Sequence, residues 1–409
     1  MIPTVKLYDE DSFRWTFSAR LLSCTHSGSV FDIVLDATCF FPEEGGQTPD
    51  LGTLSSGGMT AEVTNVQIDE NGIIHHYTDQ PLPEGDVLGA ISPDRRFYNM
   101  QQHTGEHLFS GLVHTYCGYD NVGFHLSDET VSMDYNGPLT ETEIDDLEAE
   151  ANRIIAMDVP VYAYYPEPSD LEGMDYRSKK ELSGPIRIVD IGADGAFDRC
   201  ACCAPHLNST GKIGSLKVTG FMNYKGGTRL FILCGMRALF DYSKKQKTIE
   251  QLGRIFSAPA EQLCDCAKKA LSERADAQAK ARELSSQLLH FQIENALAKL
   301  SDETKSFTFF AGESDMLSVR TAINRLTPQR SGFVTILWNE GQTETSSEKE
   351  TFRFMTGSSD RNCSDLAAVL RKKTGAKCGG KPEMIQGSVS FSNASEKKRF
   401  AEEIETFLL

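Results

Sequence analysis

The sequence predicts an α+β chain of several domains, and three observations carry that prediction. The first 91 residues alternate short apolar runs with glycine turns, and residues 92–243 mix helical and strand-like patterning. A charged, alanine-rich run from Lys244 to Leu300 then has no proline beyond Pro259. With 409 residues and 40% hydrophobic content, there is apolar side chain enough for two or three cores.

The elements follow in order. Val30–Leu35 is a strand-like run, and Glu44-Gly45-Gly46, Ser56-Gly57-Gly58 and Asn71-Gly72 are turn signals, so residues 1–91 read as a small β-barrel or a curled antiparallel sheet. Residues 92–243 read as an α/β core with a helix from near Phe97 to Tyr116 and an acidic helix from Glu141 to Met157. Strands are expected there at Thr130–Met133, Pro160–Tyr165, Ile186–Ile191, Ile213–Thr219 and Thr228–Leu233. Residues 244–300 read as one extended helix, a long arm. Its Leu263, Ala267, Ala270, Ala277, Ala281, Leu284, Leu288, Phe291 and Ala298 fall near a 4,3 alternation that Arg274 and Asn295 interrupt. That seam suits a hairpin arm or coiled-coil dimer, and equally a helix packed on its own domain. Residues 301–409 read as a C-terminal α/β globular domain, with strands at Phe307–Phe310 and Phe333–Trp338 and a helix at Asp365–Lys373.

The chemistry concentrates in two pairs of residues. His103 and His107 stand four apart on the expected helix, so their imidazoles leave the same face. Cys202 and His206 repeat that spacing in a turn-rich stretch after Ile186–Ile191. Two such pairs complete a tetrahedral nitrogen and sulfur shell for Zn²⁺. Cys200 and Cys203 are rival ligands in the same segment, and spacing favours Cys202.

Eleven cysteines, spread singly or in tight clusters, fit a reducing compartment and not a disulfide framework. The segment Met1-Ile2-Pro3-Thr4-Val5-Lys6 lacks the character of a signal peptide, and no apolar run is long enough to span a bilayer; a cytoplasmic protein without a membrane partner is expected. A formal net charge of −17 argues against non-specific nucleic-acid binding over the whole surface. RNA contact then needs local basic clusters. These are Arg177 with Lys179 and Lys180, Lys212 with Lys217, Lys225 with Arg229, Lys244 and Lys245 with Lys247, and Arg371, Lys372 and Lys373 with Lys377 and Lys381.

Other chemistries find little support. Gly379-Gly380-Lys381-Pro382 lacks the ending of a phosphate-binding loop, and there is neither a dinucleotide fingerprint after a strand nor a credible Ser-His-Asp order. Metal-assisted hydrolysis remains.

Thr38-Cys39-Phe40-Phe41-Pro42-Glu43-Glu44-Gly45-Gly46-Gln47 with Asp50-Leu51-Gly52 resembles the barrel motif of alanyl-tRNA editing proteins, and the two metal pairs occupy that family's zinc positions. Thr210-Gly211-Lys212-Ile213-Gly214, Gly226-Gly227-Thr228-Arg229-Leu230 and the closing Gly-Gly-Lys-Pro are also similar. In order along nearly the whole chain, the resemblance is to the long form of the free-standing AlaX editing factors. These carry a barrel, a zinc editing core, a helical arm and a C-terminal domain like that of alanyl-tRNA synthetase, without an aminoacylation core. Two departures stand out: Cys202-Cys203-Ala204-Pro205-His206 where the family often has Cys-x-Gly-Thr-His, and Glu44-Gly45-Gly46 where it has three glycines.

The resemblance implies a hydrolase, not a ligase. Its substrate would be tRNA for alanine mischarged with serine, and also with glycine, and its cofactor Zn²⁺. Thr38 and Gln47 match positions lining the editing pocket, where a threonine hydroxyl would pair with the serine hydroxyl and spare the alanyl ester. A homodimer through the helical arm or the C-terminal domain is a further expectation. Two alternatives come from the same residues. His103-Thr104-Gly105-Glu106-His107 also fits the His-x-x-Glu-His motif of inverzincin metallopeptidases, with Glu106 as general base. A non-catalytic tRNA-binding or dimerisation protein with structural zinc is the other.

Overall fold

A computed structural model describes residues 2–128, 130–178, 185–300, 305–339 and 350–407. The chain divides into two compact units, residues 1–250 and 251–409.

In the first unit, six strands close into a barrel: β1 (Thr16–Ser27), β2 (Val30–Leu35), β3 (Gly52–Ser56), β4 (Met59–Ile68), β5 (Ile74–Thr78) and β6 (Asp86–Ile91), in the order β1-β2-β5-β4-β3-β6. Closure depends on β1. Its first half pairs with β6, from Thr16 with Ala90 to Arg20 with Asp86, and beyond a register shift between Leu21 and Ser23 its second half pairs with β2. Residues that alternate along the strands, among them Ile33, Leu35, Leu54, Ala61, Val63, Ile74 and Val87, fill the interior. Of the two forms expected, closed barrel or curled sheet, the chain adopts the first, which leaves no open strand edge.

Helix α1 (Pro93–Cys117) follows at once. Ser92 caps it by accepting from Arg95 N, Pro93 opens its first turn, and Gly118 at φ 71 ends it. Residues 99–113 are buried on every side, so α1 is the axis of the unit rather than a surface helix. Arg96 ties it to the barrel. Its Nε donates to Asp50 Oδ2 at 3.0 Å and its Nη2 to Cys39 O at 2.6 Å, while Asp50 accepts from Phe41 N at 2.7 Å.

Around α1 lie β7 (Asn121–Leu126), β8 (Val131–Tyr135), α2 (Glu141–Met157), β9 (Val161–Tyr164), β10 (Ile188–Ile191), β11 (Asp198–Ala201), β12 (Leu216–Tyr224) and β13 (Gly227–Cys234). One sheet runs β12-β13-β8-β7 and a second β9-β10-β11. Helix α2 has the expected bounds because Thr140 and Glu143 form a reciprocal capping box. The strand expected at Ile213–Thr219 starts later, at Leu216, because Thr210–Ile213 is a 3₁₀ turn and Gly214 takes φ 83.

The single extended helix expected from Lys244 to Leu300 is corrected to two. Helix α3 (Gly235–Phe256) stops before Ser257 at φ 51 and Pro259, which has no N–H to continue the ladder, and α4 (Leu263–Leu297) begins after a 3₁₀ turn. In the second unit α4 packs through Leu289 and Ile293, whereas Leu284, Leu288 and Phe291 of the expected seam are exposed.

The rest of that unit is an α/β sandwich: β14 (Phe307–Glu313), α5 (Met316–Leu326), β15 (Val334–Asn339), β16 (Glu350–Gly357), α6 (Cys363–Thr374), β17 (Lys377–Lys381), β18 (Met384–Phe391) and α7 (Ala394–Thr406). The sheet order is β14-β15-β16-β18-β17; β14 and β15 are parallel across the α5 crossover, and the other pairs are antiparallel. The Gly-Gly-Lys segment forms the edge strand β17. Among the described residues, no helix is long and apolar enough to cross a membrane.

Candidate metal centre

Two glutamines set the position of the helix that carries the first histidine pair. Gln102 pairs with the end of β13 through both ends of its amide, donating to Cys234 O at 2.8 Å and accepting from Cys234 N at 2.7 Å. Gln101 donates to Lys212 O at 3.0 Å. The approach is close because Gly105 lies against Cys234 Sγ, where any side chain would collide.

With α1 in place, His103, His107, Cys202 and His206 converge, each offering one ligand atom within 4.8 Å of the others. Cys202 Sγ lies 3.6 Å from His103 Nε2 and 3.4 Å from His206 Nε2. The outer nitrogen of each imidazole has its own neighbour. His103 Nδ1 lies 2.8 Å from Gln47 Oε1, His206 Nδ1 lies 3.1 Å from Thr104 Oγ1, and His107 Nδ1 lies 3.2 Å from Asp198 Oδ2. A carboxamide oxygen only accepts, so His103 carries its proton on Nδ1 and presents Nε2 to the cluster.

Gln47 reaches His103 because the segment before it turns sharply. Gly45 and Gly46 take φ 63 and 83, Gln47 N donates to Glu44 O at 3.0 Å, and Leu126 N of β7 donates to Gly46 O at 2.7 Å. Two glycines suffice for this turn. A side chain on Gly46 would strike the Phe124 carbonyl.

The electrostatics suit metal capture. Burial opposes ionisation of Cys202, yet the charges of His103 and His206 and the bonds from His103 and His107 hold its thiol well below the ordinary range. Burial, and after it the charge of His107, push His206 down to about 3. His107 is also desolvated, but Asp198 and Cys202 lift it to about 9. Metal uptake at such a site is coupled to loss of whatever protons its thiol and imidazoles carry. Three imidazole nitrogens and one thiolate form a donor set that zinc accepts.

The remaining predicted residues are dispersed. Cys203 faces Gly45 and Glu44 instead of the cluster, and burial together with the Cys202 charge raises its thiol. Cys200 is grouped with His107 and Asp198 on the far side of the ring. Thr38 is fully buried in the barrel, where its hydroxyl lies 2.9 Å from His76 Nε2 and accepts from Phe40 N. Glu106 is fully buried beside the cluster; its Oε1 accepts from Ser110 Oγ at 2.7 Å and Asn121 Nδ2 at 2.6 Å, and its Oε2 lies 3.9 Å from His107 Nε2.

Among the basic residues, Lys212, Lys225, Arg371, Lys372, Lys373 and Lys381 are exposed. Several are engaged: Lys212 lies over the Phe13 ring, Arg371 donates to Cys378 O and Lys373 pairs with Glu403. Arg229 makes two bonds of 2.6 Å to Asp134 and lies 3.8 Å over the Tyr224 ring. Arg177, expected in a basic cluster with Lys179 and Lys180, is corrected to a buried partner of Asp198, whose carboxyl is the chief balance to its charge inside the fold. Lys179 and Lys180 lie outside the described residues. Sequence reasoning missed Asp198 and Thr104. Thr104 sits inside the histidine motif and Asp198 four residues before Cys202, but nothing in their spacing shows which ring each one meets.

Two family models match the chain: "tRNA synthetases class II (A)" over residues 17–91 and "Threonyl and Alanyl tRNA synthetase second additional domain" over residues 186–247. The alanine–tRNA ligase of Pyrococcus abyssi is 28% identical over 417 residues, 99% of this chain and 44% of that protein. The chain is alanyl-tRNA synthetase-like. The ligase of Pyrococcus furiosus is 28% identical over 94% of this alanyl-tRNA synthetase-like chain and 42% of its own length, and that of Pyrobaculum neutrophilum 30% over 67% and 31%. The chain thus spans less than half the length of the curated relatives it matches. A solved C-Ala domain from Aquifex aeolicus alanyl-tRNA synthetase aligns with 24% of this chain and 90% of that one, at 16% identity and a TM-score of 0.20.

Proposed function

We propose that the chain is an aminoacyl-tRNA deacylase that hydrolyses the ester of tRNA for alanine mischarged with serine, and also with glycine. The observation that carries this reading is the buried convergence of His103, His107, Cys202 and His206, the second pair within the segment that matches the second additional domain. These four side chains would hold zinc, which when bound supplies Lewis-acid polarisation and a more acidic water at neutral pH.

The chain's own residues supply the rest. Gln47 Nε2 is a buried donor without a protein partner, suited to an ester carbonyl beside the cluster. Glu106 has one carboxylate oxygen tied by Ser110 and Asn121 and the other turned toward His107, where it would accept a proton from water. Selectivity falls to Thr38. His76 Nδ1 faces Ile33 O at 3.1 Å and so carries the ring proton, which makes Nε2 the acceptor of the Thr38 hydroxyl. Thr38 Oγ1 also accepts from Phe40 N, and one lone pair remains for a serine hydroxyl; an alanine methyl would leave it unpaired. Lys212, Lys225, Lys372 and Lys381 are the exposed cations for tRNA phosphates, and the apolar face of α4 is where a second copy would pair, in a cytoplasmic enzyme.

A second reading, a tRNA-binding protein with structural zinc, is favoured by one observation: four protein donors fill a tetrahedral shell. The metallopeptidase reading is weaker, because the partners of His103 and His107 are a cysteine and a histidine where that class needs a downstream carboxylate.

Release of amino acid from seryl-, glycyl- and alanyl-tRNA for alanine, with and without chelation and zinc restoration, tests the reading. Metal-dependent loss of serine with alanine spared is expected. Tight zinc and tRNA binding without ester loss would establish the binding protein instead.

A further inference from the structure

We propose that Asp198 and Arg177 form a positioning pair that fixes the orientation of His107 and so sets how tightly the four-residue cluster takes a metal ion. The proposal rests on the metal reading of that cluster and not on the ester chemistry.

Asp198 Oδ2 lies 3.2 Å from His107 Nδ1, with both side chains 1% exposed. Both atoms are buried and neither makes a hydrogen bond among the described residues, so the 3.2 Å approach sets two unsatisfied polar atoms face to face. Gly111 makes the approach possible: a side chain there would strike Phe197 O and the Asp198 side chain, so β11 lies directly on α1. The other carboxylate oxygen is already committed, since Arg177 Nε donates to Asp198 Oδ1 at 2.7 Å.

Arg177 is placed by its backbone. Its N–H donates to Arg199 O and its carbonyl accepts from Ala201 N, both at 2.9 Å, which pairs it alongside β11. Its buried guanidinium pairs with the Asp198 carboxyl and holds it in place inside the fold.

His107, Asp198 and Cys200 also present ligand atoms within 4.8 Å of one another. A second cation does not fit there, because Arg177 already occupies the cationic position beside Asp198. What remains for Asp198 Oδ2 is to accept the His107 Nδ1 proton once Nε2 is given to a metal. The neighbours of the other two rings, Gln47 and Thr104, are neutral. Of the three outer nitrogens, that of His107 is the one set against a carboxyl group, which fixes its tautomer and strengthens it as a donor.

The test uses Co²⁺ as the probe with the full chain, reading affinity by chelator competition and ligand geometry by the visible absorption band. Asp198→Ala should weaken binding about 10- to 100-fold and change the band, and Asp198→Asn, which retains an acceptor oxygen, should recover part of the loss. Because Asp198→Ala strands Arg177 in the interior, the double variant Arg177→Met, Asp198→Leu is measured beside it. It buries no charge and should show the same weakening, with metal-free melting close to that of the parent. Parent-like cobalt affinity and spectrum in both the single and the double variant would overturn the proposal alone. A parent chain that takes up no cobalt would overturn it together with the metal reading.

Discussion

Gln47 Oε1 lies 2.8 Å from Nδ1 of His103, and this contact joins the turn beyond the barrel strand β2 to the central helix of the same unit. Orientation of His103 and an unpartnered amide donor reside in one side chain. The two roles separate by substitution. Gln47→Glu keeps an acceptor for Nδ1 but removes the donor, so zinc content should persist while deacylation falls about 100-fold. Gln47→Ala should lower both. Equal turnover in Gln47→Glu and the parent would remove the donor role.

His103→Ala or Cys202→Ala should abolish zinc binding and turnover together, because each removes one of four converging ligands. Metal analysis by mass spectrometry checks this. Full occupancy in either variant would show that the ion is held elsewhere.

Asp50 and Arg96 are 1% and 0% exposed, and the guanidinium also holds the carbonyls of Ser12 and Cys39. Asp50→Ala leaves that charge buried and unpaired, so unfolding free energy should drop by about 3–5 kcal/mol. Denaturant titration of the metal-free protein measures it, and a loss within error of zero would contradict the assignment.

His76 supplies a pH dependence. Burial holds it down to about 4, although its bond to the Ile33 carbonyl acts the other way. The unfolded chain takes up this proton below about pH 6.5 and the folded chain only near pH 4, so the unfolded state binds more protons within that window. Stability is complete above the window and should fall by on the order of 3 kcal/mol as pH drops through it. His76→Gln, with no titrating ring, should flatten this decline when urea midpoints are compared across the range.

Thr38→Val should weaken the preference for seryl over alanyl ester, about 10-fold. It also leaves His76 Nε2 without its donor, at a cost to stability of about 1–3 kcal/mol. An unchanged substrate ratio with the stability loss present would confine Thr38 to the barrel.

Local signals determined much of this protein. Alternation and glycine turns specify strands, and Thr140 with Glu143 specifies the start of α2, because these forces act over a few residues. The i,i+4 histidine spacing likewise dictates a shared helix face for His103 and His107. The break between α3 and α4 was legible in part, since Pro259 was visible, but the φ of 51 at Ser257 that completes it was not. Tertiary structure alone decided what surrounds the site. Which sulfur joins the cluster depends on the path of the chain after β11, which turns Cys202 inward and Cys203 toward Gly45. The identity of each ring's neighbour, Gln47, Thr104 or Asp198, arises from contacts across 56, 102 and 91 positions of sequence, where no local periodicity reaches. Arg177 shows the same limit: its charge in the sequence suggests surface, and the fold instead buries it against the carboxyl of Asp198.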